Sequence, residues 1–107
     1  MKYVRFKSAF ALATMIVLPL HVGATGRMTC EPIESTEWIS DVALEDKLVS
    51  EGWKVRRMKV DGGCWEVYGT TPEGDRVEAY FHPASGEKLL VAQRGKILFR
   101  AEGVNKE

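Results

Sequence analysis

The chain has 107 residues, 15 Lys+Arg against 15 Asp+Glu, 45% hydrophobic residues and two cysteines. That length holds at most one domain, and a zero charge balance argues against a protein built to coat nucleic acid, since such domains are strongly basic. The neutrality averages two unlike parts: the first 24 residues carry Lys2, Arg5 and Lys7 and no acid, whereas the other 83 carry 12 basic and 15 acidic groups, net −3.

Residues 1–24 have the three parts of a secretory signal peptide. Lys2, Arg5 and Lys7 are a positive start, Ala9 to Leu20 is an uncharged, mostly apolar run of 12 residues, and Val22-Gly23-Ala24 supplies short side chains before a cleavage site. Cleavage is expected near Ala24. The alternative is a membrane anchor, but twelve helical residues span only ~18 Å of a ~30 Å hydrocarbon core. Lipidation of Cys30 is disfavoured, because Arg27-Met28-Thr29 lacks the small residues that precede a lipidated cysteine. The expected mature protein is soluble, monomeric and periplasmic.

Export would place Cys30 and Cys64 in a disulfide-permissive compartment. Two cysteines allow one intramolecular bridge, closing a loop worth roughly 3.5–4 kcal/mol in the chain-entropy model. Free or intermolecular thiols, a redox pair and a metal site are the alternatives. A CxxC spacing is absent, and His82 is the only histidine after residue 24.

Residues 25–35 show no periodicity and are expected to form an extended arm pinned by Cys30. The domain proper is expected over 36–101. A helix is predicted from about 41 to 51. Ser40 is its N-cap, Asp41 suits the positive N-terminus, and Ile39 with Leu44 makes a hydrophobic staple. Gly52 sits at the left-handed position after its end, with Trp53 reaching back to Leu48. Trp38 is expected under the first turn. The rest reads as strands. Trp53–Val60 has an apolar phase that slips between Val55 and Met58, a sign of a bulge or of a covered second face. Asp61-Gly62-Gly63 is a turn. Cys64–Thr70 places Trp65, Val67 and Gly69 opposite Cys64, Glu66 and Tyr68. Arg76–His82 alternates Val77, Ala79 and Phe81 with charged and polar groups. Lys88–Ala92 is a fourth strand and Ile97–Arg100 a short fifth. Residues 102–107 are expected to be a disordered tail. One main helix on a three- to five-stranded antiparallel meander is an α+β fold.

The runs Gly52-Trp53-Lys54-Val55, Gly63-Cys64-Trp65-Glu66-Val67-Tyr68, Gly74-Asp75-Arg76-Val77-Glu78 and Phe81-His82-Pro83-Ala84-Ser85-Gly86-Glu87 resemble the PepSY domain family. The resemblance covers roughly Cys30 to Leu90 and is closest to small, stand-alone periplasmic members with paired cysteines. It implies a non-catalytic export-side module that restrains or regulates peptidases, or acts beside membrane electron-transfer or sensor proteins. No peptidase domain accompanies it in this sequence, so the resemblance implies action in trans.

The residues themselves offer little chemistry. His82 lies by a turn without a nucleophile elbow and reads as a turn-packing residue. Glu66 and Glu78 could meet across strands, but Arg56, Arg57 and Arg76 make cross-strand ion pairs the preferred reading. The basic run Lys54–Lys59 could grip an acidic partner or phosphate; the plainer reading is a solvated face balanced by the acidic stretch Glu73–Glu78. No phosphate loop or haem motif occurs, and no cofactor is expected. Arg56, Tyr68, Tyr80 and His82 are the candidate binding patch, should both tyrosines face outward. The leading expectation is therefore a binding or regulatory module for a protein partner, without nucleic acid. The rival is an inhibitor or modulator of a secreted peptidase, and the blandest reading is an envelope structural protein.

Overall fold

A computed structural model describes residues 26–104. The expected signal peptide, 1–24, and the last residues, 105–107, lie outside the described residues. A 3-10 turn, Ser35–Glu37, leads into helix α1, Asp41–Ser50. Five strands follow: β1 Lys54–Asp61, β2 Cys64–Thr70, β3 Arg76–Phe81, β4 Lys88–Gln93 and β5 Lys96–Arg100. They form one antiparallel sheet in the order β1-β2-β3-β4-β5. The expected α+β architecture is the observed one.

Local chemistry accounts for the helix. The Ser40 hydroxyl accepts from the Ala43 amide at 3.1 Å, satisfying a free donor of the first turn. At the other end Trp53 N–H donates to Leu48 O at 3.0 Å and Gly52 N–H to Val49 O at 3.1 Å. Those two bonds are a Schellman ending, and they need the positive φ of Gly52, 97°. Ile39 and Leu44 both reach towards Gly86 in the β3–β4 turn, so the staple also ties the helix start to the sheet.

Helix and sheet share one core. Leu44, Leu48, Trp53, Val67, Val77, Ala79, Phe81 and Val91 are buried together. Full burial of each leucine contributes about 1.5–3 kcal/mol. Phe81 meets Trp53 edge-on with centroids 5.7 Å apart. Trp38 packs edge-on against Trp65 at 5.6 Å, and its indole N–H donates to Ile33 O. The slipped apolar phase of β1 is a bulge: the register jumps between Val55 and Arg57, leaving Arg56 as the extra residue.

The sheet has a second covered face, which the alternation of β2 and β3 does not announce. Cys30, Cys64, Tyr80, Leu89 and Leu90 are buried there, with Met28, Ala101 and Val104 packed against them. The arm supplies the cover. Cys30 N–H donates to Gly62 O at 2.8 Å, and Cys30 is bonded to Cys64. Gly62 is held at φ 58°, and a Cβ there would stand 2.3 Å from Met28 O; only glycine lets the arm approach so closely. Val104 N–H bonds to Ala101 O at 3.3 Å, and its side chain packs against this second cluster.

Candidate functional site

The four residues expected to form a binding patch do not share one surface. Tyr80 is fully buried, and its hydroxyl donates to Asp61 Oδ2 at 2.7 Å. The physical reason is the arm, which covers the face on which Tyr80 stands. His82 sits at the β3–β4 turn, where its Nδ1 accepts from the amides of Ala84 and Ser85 at 3.1 and 3.2 Å. Arg56 and Tyr68 do come together. They line one shallow recess of about 250 Å³ with Arg76, Val77, Glu78, Ala92, Gln93 and Arg94.

The ion pairs also differ from expectation. Glu66 lies opposite Tyr80 and Glu78 opposite Tyr68, so the two glutamates are diagonal rather than paired. Lys59 reaches Glu66 at 4.0 Å, and Arg27 of the arm reaches Glu78 at 3.6 Å. Arg57 and Lys59 stand over the Tyr68 ring, 5.8 and 5.3 Å from its centroid. The acidic stretch Glu73–Glu78 does not lie beside the basic β1, because β2 intervenes between β1 and β3; Glu66 of β2 faces Lys59 instead.

Beneath the arm lies a buried polar cluster. Asp61 and Glu66 lie near enough to bear on each other's titration, Asp61 raising Glu66. Burial raises the Glu66 pKa, helped by Asp61 and opposed by Tyr68 and Lys59. Burial also acts upward on Asp61, but its bonds from Tyr80, Glu66 and the Gly26 amide outweigh it, and its pKa is lowered. Burial and the bond to Glu66 push the Tyr68 phenol up. The consequence for stability has a definite sign. Glu66 holds its proton more tightly in the folded state, so its contribution is full below about pH 4.5 and is lost as pH rises through the raised value. Asp61 acts oppositely, losing its contribution as pH falls below 3.8. Glu66→Gln needs no proton and is expected to remove the upper limb. The melting temperature of the variant should gain on the wild type by a few degrees between pH 4.5 and pH 7, since one proton is worth about 1.4 kcal/mol per pH unit. A difference that stays constant with pH would refute this assignment.

The longest run of exposed apolar residues in the sheet is in its last strand. β5 ends the sheet, and Ile97, Leu98 and Phe99 are 37%, 40% and 38% exposed. Among the described residues no helix covers it: the core that α1 shares with β2, β3 and β4 includes no β5 side chain. The register between β4 and β5 shifts at Val91/Ala92, with Val91 opposite Phe99 and Ala92 opposite Ile97, so Leu98 is the extra residue. On the helix side, Leu98, Phe99, Val91 and Trp53 floor a groove of about 420 Å³. Lys88 lies over the Phe99 ring at 4.2 Å. An edge strand with free backbone groups and an apolar surface is a template for an added strand. The opposite edge, β1, is blunted by Lys54, Arg56, Arg57, Lys59 and a bulge. Reading the chain for alternation marks β5 as a strand but gives no measure of its exposure.

A family model described as peptidase propeptide and YPEB domain, PepSY_2, matches residues 8–90. The chain belongs to the PepSY family. No curated protein and no solved structure matches it significantly. The end of the family match coincides with the expected limit at Leu90, and its start lies earlier than Cys30. The second half of β4, the turn after it and all of β5 lie beyond the matched residues. Among the described residues of this PepSY chain, no three His, Cys, Asp or Glu side chains gather as metal ligands, and no helix is long and apolar enough to cross a membrane.

Proposed function

We propose that this PepSY protein is a non-catalytic module, exported to the periplasm by its N-terminal segment, that regulates a protein partner by docking it along β5. The observation that carries this reading is the run Ile97-Leu98-Phe99 on an uncovered edge strand. A partner strand added there would gain backbone hydrogen bonds from β5 and bury apolar surface against Phe99 and the groove beside it. The family description favours a secreted peptidase, restrained in trans, as a second reading of the partner. A photo-crosslinker placed at Ile97 in the full chain, in intact cells, tests the docking edge. One dominant protein adduct is expected, with none from the same probe at Glu45 on the exposed side of α1. Equal adducts at both positions, or none at Ile97, would overturn the reading. Adding the purified protein to secreted metallopeptidases tests the second reading: inhibition lost on Leu98→Lys supports it, and uninhibited turnover across a broad panel removes it.

A further inference from the structure

The sequence after residue 24 contains six arginines: Arg27, Arg56, Arg57, Arg76, Arg94 and Arg100. They come from the arm, three strands and a turn, yet five line two recesses and the sixth stands over Tyr68, which lines one of them. Arg56, Arg76 and Arg94 line the recess around Tyr68. Arg57 stands over the Tyr68 ring itself. Arg27 and Arg100 line a neighbouring recess with Gly95 and Ile97, and Arg27 links the two through Glu78. No lysine lines either recess. In a stretch of net −3, this is a positive patch carried mainly by arginine, with Lys59 beside Arg57 over the Tyr68 ring. Arginine differs from lysine in its planar fork, which grips a carboxylate or phosphate through two parallel bonds. Among the described residues Arg56, Arg76 and Arg94 form no ion pair within 4.0 Å.

The backbone adds a second, independent observation. The β1–β2 and β4–β5 hairpins both turn on two residues with positive φ. In the first these are Gly62 and Gly63, at 58° and 78°; in the second, Arg94 and Gly95, at 48° and 83°. Such a turn favours glycine, asparagine or aspartate at its first position. Arg94 is the only non-glycine residue with positive φ among the described residues. A side chain held in a disfavoured backbone region at a surface turn points to a role outside folding. Arg56 is the extra residue of the β1 bulge, another irregularity that re-aims a side chain.

We propose that this arginine patch binds the carboxylates of an extended, acidic segment of a partner polypeptide. The polypeptide character rests on the reading of β5 as a docking edge; the charge argument does not. Three features favour separate carboxylates over one phosphate. The arginines are spread over β1, β3 and the β4–β5 turn. Glu78 stands in the recess and opposes a concentrated dianion. The open edge of β5 starts at the same turn, so a chain whose acids meet the arginines continues along Ile97 to Phe99. A second copy of this chain fits poorly. Antiparallel pairing of β5 with itself about Leu98 sets Lys96 against Arg100, like charge against like.

The test is a titration of the full chain, followed by amide NMR shifts, with three probes: an acetylated Glu-Val-Glu-Val-Glu peptide, its glutamine counterpart, and inorganic phosphate. Vesicles of phosphatidylglycerol form a fourth arm. The acidic peptide is expected to shift Tyr68, Arg76 and Arg94, and to bind about tenfold more tightly than the glutamine peptide at low salt. Arg76→Gln and Arg94→Asn should each weaken it about threefold or more, with Lys47→Gln on α1 without effect. Arg94→Asn should also raise the melting temperature, because asparagine tolerates the turn that arginine strains. Binding lost while stability rises separates a ligand-holding arginine from a structural one. Equal binding of the glutamine peptide, tighter binding of phosphate or vesicles, or undiminished binding by Arg94→Asn would each overturn the proposal. Failure of the acidic peptide while the Ile97 adduct persists sinks this inference alone. Acidic-peptide binding at the arginines without any Ile97 adduct sinks the docking edge instead.

Discussion

Replacing Cys30 and Cys64 together by alanine is expected to lower the melting temperature by roughly 15–30 °C. The bridge joins residues separated by 34 positions, and in the chain-entropy model that closure contributes roughly 3.5–4 kcal/mol. A domain of this size has little margin beyond that. The bridge also fixes the arm over the second face of the sheet, where Tyr80 and Glu66 are fully buried. Without it, the Tyr80–Asp61 hydrogen bond and the cluster around Leu90 lose their cover. Differential scanning calorimetry gives the measurement. Reductant should reproduce the shift in the wild type and leave the double variant unmoved. A shift below about 5 °C would mean that the arm holds its place without the bridge.

Phe81→Ala is expected to cost about 3–5 kcal/mol, enough to leave much of the protein unfolded at growth temperature. Phe81 is 1% exposed at the centre of the helix–sheet core, between β2 and β4 and edge-on to Trp53. Its removal leaves a cavity that Leu44, Leu48 and Trp53 cannot fill, since each is already held by the helix and its Schellman ending. Urea unfolding read by tryptophan fluorescence measures the loss. Phe81→Leu keeps most of the volume and should cost less than half as much. If both variants fall within about 1 kcal/mol of the wild type, the core is centred elsewhere.

Local chemistry was legible where it acts over short range. Ser40, Gly52 and the Leu44/Leu48 pair specify α1 because caps and i, i+4 neighbours are set within a few residues. Alternation in Cys64–Thr70 and Arg76–Phe81 specifies β2, β3 and the face each residue takes, because successive side chains point to opposite sides of a strand. The β1 bulge at Arg56 was visible as a slip in that alternation. The partners of Glu66 and Glu78 were not, because Lys59 and Arg27 reach them through a register and an arm that no local pattern encodes. The binding patch failed at Tyr80 for the same reason. A tyrosine on the face away from the helix is exposed in a two-layer fold, but here Met28–Cys30 makes a partial third layer.

The sequence by itself therefore determined the elements, their order, the helix-facing core and the cysteine pair, all of which follow from spacing along the chain. Only the tertiary structure decided which surfaces stay open. It covered Tyr80 and Glu66, left Ile97, Leu98 and Phe99 on an edge strand, and brought six arginines from distant segments to two recesses and the Tyr68 ring. Exposure and the meeting of distant charges are properties of packing, and packing joins residues that are far apart in the chain. The zero net charge of the whole chain thus conceals both an acidic domain and, within it, an arginine-rich pole.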